Sequence, residues 1–232
     1  MRVTIHQPEH LPWLGLLAKV AASELWIVLD SVPYRKNYFQ NRNRVLLDDR
    51  STWLTVPVTA PFGTRIRDAR ICEVPSWRRR YRGRLIQAVS GTSCANRVGD
   101  LLSVIDSAPL GGLLADLNLD LADWVLSQFD VKVPTVRSSE LDATGTKSEL
   151  ILNLCRAAGA DEYLAGPSGR DYLNLDAFAE HGITVRFFDF DHPKYAQGCD
   201  PFVPRLSAVD AWSRVAPADL PSLLSGYRLS AS

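Results

Sequence analysis

The chain has 232 residues, 46% of them hydrophobic and 22% charged, which suits a globular protein with a sizeable core. Its 26 Lys and Arg balance 26 Asp and Glu, so no global field recruits nucleic acid or an anionic membrane surface. No apolar run approaches the ~20 residues that span a bilayer and no secretory leader is visible, so the expectation is a cytoplasmic protein without membrane association.

Zero net charge leaves little repulsion between copies, which permits a homodimer. Four cysteines (Cys72, Cys94, Cys155, Cys199) and four histidines are scattered through the chain without CxxC or zinc-ligand spacing. Neither a disulfide framework nor a metal site is expected.

In chain order, "VTIHQ" reads as a strand entering a Pro-rich loop, "LGLLAKVAAS" (14–23) as a helix, and "LWIVLD" as a strand buried on both faces. A right-handed crossover makes the two strands parallel. "VPYRKNYFQNRNRVLL" (32–47) is an irregular segment entering a strand, "TWLTVPV" (52–58) a further strand, and "LWIVL" is expected at the centre of the sheet. The middle is helical: 76–89 with Ser76 as N-cap, and 109–129 with a stripe of Leu110, Leu114, Leu117, Leu121, Trp124 and Val125. A short strand "KVPTV" follows, then a helix over 147–160, a strand "DEYLAG", a helix over 170–182 and a strand "ITVRFFDF". Gly159 and Gly182 close the two helices. The tail from Val203 is loosely helical. These alternations predict one α/β domain over 1–232 with a mainly parallel sheet flanked by helices, Rossmann-like or nucleotidyltransferase-like, and a helical insertion at 76–129.

Chemistry concentrates where strands end, because open parallel sheets bind ligands beyond their carboxyl ends. The first such place is "IHQPEHLPWLG", which carries His6, Gln7 and Trp13 in a loop stiffened by Pro8 and Pro12. Asp30 ends the second strand. "KNYFQNRNRV" offers Lys36, Asn41, Arg42 and Asn43, amides and cations suited to a carboxylate, a phosphate or sugar hydroxyls. In "SWRRRYRGR", Arg79, Arg80 and Arg82 are assigned to a solvated helix face and Arg78 to ligand contact. Lys147 sits at a helix start. "LAGPSGRDYL" supplies Gly166, Ser168, Gly169 and Tyr172 as a loop suited to an anion or nucleotide. "DFDHPKYAQ" supplies Asp191 and His192 as a general-base pair, with Tyr195 nearby. No Ser or Cys stands in a nucleophile motif, which favours direct transfer from an activated donor.

The segments "IHQPEHLPWLG", "LWIVLD", "NRNRV", "WLTVPV", "SWRRRY", "SSEL", "ADEYLAGPSGRDYL", "DFDHPKYAQ" and "FVPRLSAVDAW" together resemble the WbqC-like family. That family occurs among bacterial surface-polysaccharide (O-antigen) and natural-product pathway proteins. The resemblance implies a biosynthetic transferase that forms an amide by moving an acyl or aminoacyl, glycyl-like, group onto an amine. The acceptor would be a small-molecule sugar or natural-product intermediate, and transfer RNA or a carrier protein would bring the donor. His6 and Gln7 lie inside the matching motif, whereas His10 stands where sequences of this type commonly carry Tyr. The order strand, His-loop, helix, strand is also similar to nucleotidyltransferases and pantothenate-synthetase-like ligases, although HxxxH here replaces their HxGH.

The leading expectation is an acyl or aminoacyl transferase with His6 or His192 as base, and Arg42, Asn43, Lys147 and the GPSG loop on the donor. An ATP-dependent ligase or nucleotidyltransferase-like enzyme is the alternative, and a non-catalytic sugar-nucleotide-binding protein the second. The cofactor is thus ATP or an activated acyl or aminoacyl donor, and His6, the NRNR segment, the GPSG loop and His192 are expected in one pocket. Dialysis against a chelator is expected to leave the melting temperature unchanged, and loss of stoichiometric zinc with destabilisation would contradict this.

Overall fold

The apolar runs at the chain start and at 25–29 pair side by side. In a computed structural model, which describes residues 1–231, the chain opens with β1 (Arg2–His6), α1 (Leu14–Ala21) and β2 (Leu25–Val28). There follow β3 (Arg42–Leu47), β4 (Arg50–Thr55), β5 (Val58–Thr59), β6 (Arg70–Ile71), α2 (Ser76–Val89), α3 (Val98–Ser107) and α4 (Leu114–Gln128). The chain continues with β7 (Thr135–Arg137), α5 (Lys147–Ala157), β8 (Glu162–Ala165), α6 (Leu175–Glu180), β9 (Thr184–Phe190), α7 (Ala208–Arg214) and β10 (Tyr227–Ala231).

Six strands form one sheet in the order β10-β9-β8-β1-β2-β7. Five are parallel, and β10 runs antiparallel along β9. This is an α/β fold with a mostly parallel sheet between helices. Side chains alternate across the sheet as a pleat requires. Val3, Ile5, Ile27, Tyr163 and Phe187 enter one core with Ile151 and Leu154 of α5 and Phe178 of α6. Trp26, Val28, Leu164 and Phe188 enter the other, shared with α1, the β3–β4 hairpin, α2–α4 and α7. Burial on both faces is why "LWIVL" reads as an unbroken apolar run.

Several expectations are corrected. β2 has a partner on each side but is second from an edge, and β1 with β8 holds the centre. The strands at 42–59 leave this sheet: β3 and β4 make an antiparallel hairpin, and β5 pairs with β6. Pro75, not Ser76, occupies the N-cap of α2. The helix expected from 109 starts at Leu114, because 109–113 is drawn into bonding with β6, including Ile71 N–H to Gly112 O at 2.8 Å. Leu110 is accordingly exposed. The segment 170–182 splits into a 3-10 turn over Pro167–Asp171 and α6, which Asn174 caps through its side chain. β10, expected as loose helix, is a half-exposed strand whose Tyr227 stacks on Phe188 at 4.7 Å.

A buried polar staple fixes the loop after β1. His10 is wholly inaccessible. Its Nδ1 is 3.1 Å from Asn118 Oδ1 on α4 and its Nε2 is 2.7 Å from the Tyr81 hydroxyl on α2. The Asn118 Nδ2 donates to Pro8 O at 3.1 Å and to Gln40 O at 2.7 Å. That leaves Oδ1 as acceptor, so His10 carries its proton on Nδ1 and accepts from Tyr81 at Nε2. Burial pushes the His10 imidazole down to about 4. The unfolded chain protonates near 6.5, so this contribution is complete above that pH and is lost as pH falls toward 4. Unfolding stability is expected to drop by up to about 3 kcal/mol across that window. Urea titrations at several pH values check this, and His10→Phe should be less stable at neutral pH yet lose this part of the acid dependence.

Candidate functional site

Counted in chain order within the large sheet, the strands lie 3-2-1-4-5-6. The order reverses between β1 and β8, and a crevice opens at their carboxyl ends. It is a cavity of 230 Å³. The loop after β1 contributes His6, Gln7 and Glu9, the segment before β3 contributes Arg35, Tyr38, Phe39 and Gln40, and the β8 side contributes Tyr163, Ser168 and Tyr172. Ile5, Leu29 and Ile151 complete the wall. Beneath the GPSG turn, Gly169 has no room for a side chain, since a Cβ there would lie 2.9 Å from Leu173 and 3.1 Å from Ala165.

Three charged or titratable groups stand in line behind the wall. Lys19 of α1, 5% exposed, places Nζ 3.2 Å from His6 Nδ1. His6 Nε2 lies 2.9 Å from Glu9 Oε1. An ammonium only donates, so Nδ1 accepts, and the ring proton on Nε2 is given to the carboxylate. Burial, aided by the Lys19 charge, holds His6 below its ordinary value. Burial also brings Lys19 down to about 8, against a smaller upward pull from Glu9. Both ring nitrogens of His6 are therefore engaged. The other carboxylate oxygen, Glu9 Oε2, is buried with no hydrogen-bond partner.

A second chain orients an amide. Arg35 N–H donates to Gln40 Oε1 at 2.7 Å, and Gln40 Nε2 donates to Gln7 Oε1 at 2.7 Å. Gln7 thereby keeps its own NH₂ as a donor for a ligand. The Arg35 guanidinium rests 4.5 Å over the Tyr38 ring. The wall thus combines a guanidinium, a carboxylate, amides and aromatic rings.

The sequence candidates divide. His6, Gln7, Ser168 and Tyr172 line this cavity, and Gly166 borders the Lys19 ammonium. His192 and Tyr195 line a separate, wide cleft of 830 Å³, so the single pocket expected for His6 and His192 does not form. There Trp13 stacks parallel to His192 at 6.4 Å, and its ring lies over α1 so closely that a Cβ at Gly15 would be 2.2 Å away. His192 Nδ1 bonds Pro193 O at 2.9 Å, while Asp191 pairs with Arg228, so the expected Asp191–His192 couple is absent. Burial lowers His192. The Tyr195 hydroxyl donates to buried Asp210 at 2.7 Å.

Other candidates hold the fold together. Asp30 is buried, accepting from Ser138 Oγ, Ser139 N and Ser139 Oγ at 2.9–3.0 Å. Asn41 donates to Val56 O at 2.9 Å and Asn43 to Leu11 O at 2.8 Å, so neither reaches the cavity. Arg42 lies 4.1 Å over the Trp53 ring. Arg78 donates to the Ala108 and Asp106 carbonyls, capping α3 rather than touching a ligand. Lys36 and Lys147 are exposed on the surface. Sequence reasoning passed over Glu9, Lys19, Arg35 and Gln40. One signal was present, because Lys19 is the single charge within the apolar helix "LGLLAKVA".

A doubly wound sheet with an acid–base crevice at its switch point defines the class. Within that class, the WbqC-like protein family matches residues 7–220, and the chain belongs to this family. It is 30% identical over 212 residues to the uncharacterized protein Rv1507c of Mycobacterium tuberculosis (strain ATCC 25618 / H37Rv), spanning 90% of this chain and 91% of that protein. No solved structure matches the chain. Among the described residues no helix is long and apolar enough to cross a membrane.

The hydrogen-bond directions make Lys19 the group that sets the His6 tautomer. Long-range ¹H–¹⁵N spectra are expected to show His6 protonated at Nε2 at neutral pH. In Lys19→Met the Nδ1–H form should become populated and the imidazole should titrate higher, since a neighbouring cation is gone. An unchanged His6 signal would reduce Lys19 to a packing group.

Proposed function

We propose that the protein is a biosynthetic transferase that moves an acyl or aminoacyl group onto an amine of a sugar or natural-product intermediate in the cytoplasm. One observation carries the reading: the Glu9 side chain lines the cavity and its Oε2 has no hydrogen-bond donor. A buried anionic oxygen lacking a partner is costly, and an N–H of an acceptor amine relieves that cost. His6 and Lys19 fix the carboxylate from behind.

As the amine nitrogen attacks the acyl carbon, the C–N bond forms and the bond to the leaving group breaks. The Glu9 carboxylate takes the proton from nitrogen and returns it to the departing group, while the Gln7 NH₂ donates to the acyl oxygen. Glu9 thus takes the base role expected of His6, whose nitrogens are both occupied.

The test offers amino-sugar nucleotides with acyl thioesters, acyl carrier proteins or aminoacyl-tRNA, and follows amide formation by mass spectrometry. Glu9→Gln should slow product formation at least ~100-fold with little change in melting temperature. Full activity in Glu9→Gln would remove Glu9 from the chemistry. Amide formation only with ATP, releasing AMP or phosphate, would make the protein a ligase instead.

A further inference from the structure

A third cavity, close in size to the crevice, lies away from it between α2 and β4. Its volume is 240 Å³, and Leu54, Thr55, Pro57, Trp77, Arg80, Tyr81 and Arg84 line it. Arg80 and Arg84 stand four residues apart, so their guanidinium groups share one helix face. Arg82, between them in sequence, pairs with Asp106. Neither Arg80 nor Arg84 pairs with a carboxylate among the described residues, although the chain holds as many acids as bases. Arg84 makes one bond, from Nη1 to Trp53 O at 3.2 Å.

The aromatic floor adds a further donor. Trp77 is 5% exposed, and its indole N–H is buried with no acceptor. Tyr81 has already spent its hydroxyl on His10. The groups left over are two guanidiniums, one indole N–H and the Thr55 hydroxyl, and among the described residues no anionic group lines the cavity. A ligand here is therefore anionic and rich in acceptors. Donors spread around a cavity match the tetrahedral oxygens of a phosphate better than the two coplanar oxygens of a carboxylate. Trp77, Tyr81 and Pro57 offer flat apolar walls to a compact organic group beside it.

We propose that this cavity binds a small phosphate monoester through Arg80, Arg84 and the Trp77 indole N–H. The site is independent of the acyl-transfer reading. Its floor residue Tyr81 also holds His10, which places the ligand one side chain from the loop bearing His6, Gln7 and Glu9.

The full chain is titrated with phenyl phosphate, inorganic phosphate and benzoate at constant ionic strength, following the Trp77 indole ¹H–¹⁵N peak, assigned by Trp77→Phe. Phenyl phosphate should shift that peak saturably and bind more tightly than inorganic phosphate, with benzoate weakest. Arg80→Gln and Arg84→Gln should each weaken phenyl phosphate roughly tenfold. If Trp77→Phe fails to fold, ³¹P line broadening in the two arginine variants decides the matter. Absence of saturation, undiminished binding in the arginine variants, or benzoate binding as tightly as phenyl phosphate would each overturn the proposal.

Discussion

The carboxamide of Asn118 is the interaction on which the crevice depends. It sits on α4, yet it bonds the carbonyls of Pro8 and Gln40 and the ring of His10. Three segments remote in sequence are thereby tied at one buried point. Two of them form opposite walls of the cavity, one bearing His6, Gln7 and Glu9 and the other Arg35, Tyr38 and Phe39. A buried amide satisfied on both its oxygen and its nitrogen holds such walls with little freedom, because releasing any partner strands a polar group away from water. The prolines at 8 and 12 restrict the backbone between these anchors. The ordering cost of a binding loop is met during folding rather than when ligand arrives.

The same rigidity explains the electrostatics behind the wall. Lys19, His6 and Glu9 form a line with one donor proton in each gap, and each group suppresses or supports the next. Desolvation lowers both the lysine and the histidine, so the ring stays neutral and gives Glu9 a single hydrogen bond. Such a line polarises one oxygen of Glu9 while leaving the other unpartnered. An isolated surface Glu would have lost that distinction to water.

Sheet geometry explains why the two histidine-bearing loops stay apart. β9, which leads to His192, is two strands from β1, with β8 between them. Neighbouring strands lie about 4.8 Å apart, so the loop ends start roughly 10 Å from one another. Trp13 then stacks on His192 and holds it in the cleft built by the segment 192–204. Asp191 turns instead to Arg228 on β10, an edge strand whose half-exposed sequence carried too little apolar contrast to announce itself.

The sequence by itself determined the elements whose side chains meet one uniform environment. A continuous apolar run gave β2, an aromatic and β-branched segment gave β9, Gly159 and Gly182 with left-handed backbone closed α5 and α6, and a helical stripe placed Tyr81, Leu85, Ala88 and Val89 on the buried face of α2. It also marked the loop after β1, where His6 and Gln7 do face the cavity. Only the tertiary structure decided the roles of polar residues. Asn43, Asp30 and Arg78 look like ligand groups on paper, but each is consumed by a backbone or side-chain partner far away in the chain. Glu9 looks like an ordinary loop charge, yet folding brings it and Lys19 to opposite sides of one imidazole. The reason is physical: apolar burial is a property of a residue's own surface and repeats with local period, whereas a hydrogen bond needs a specific partner, and partners are chosen only when the chain has folded.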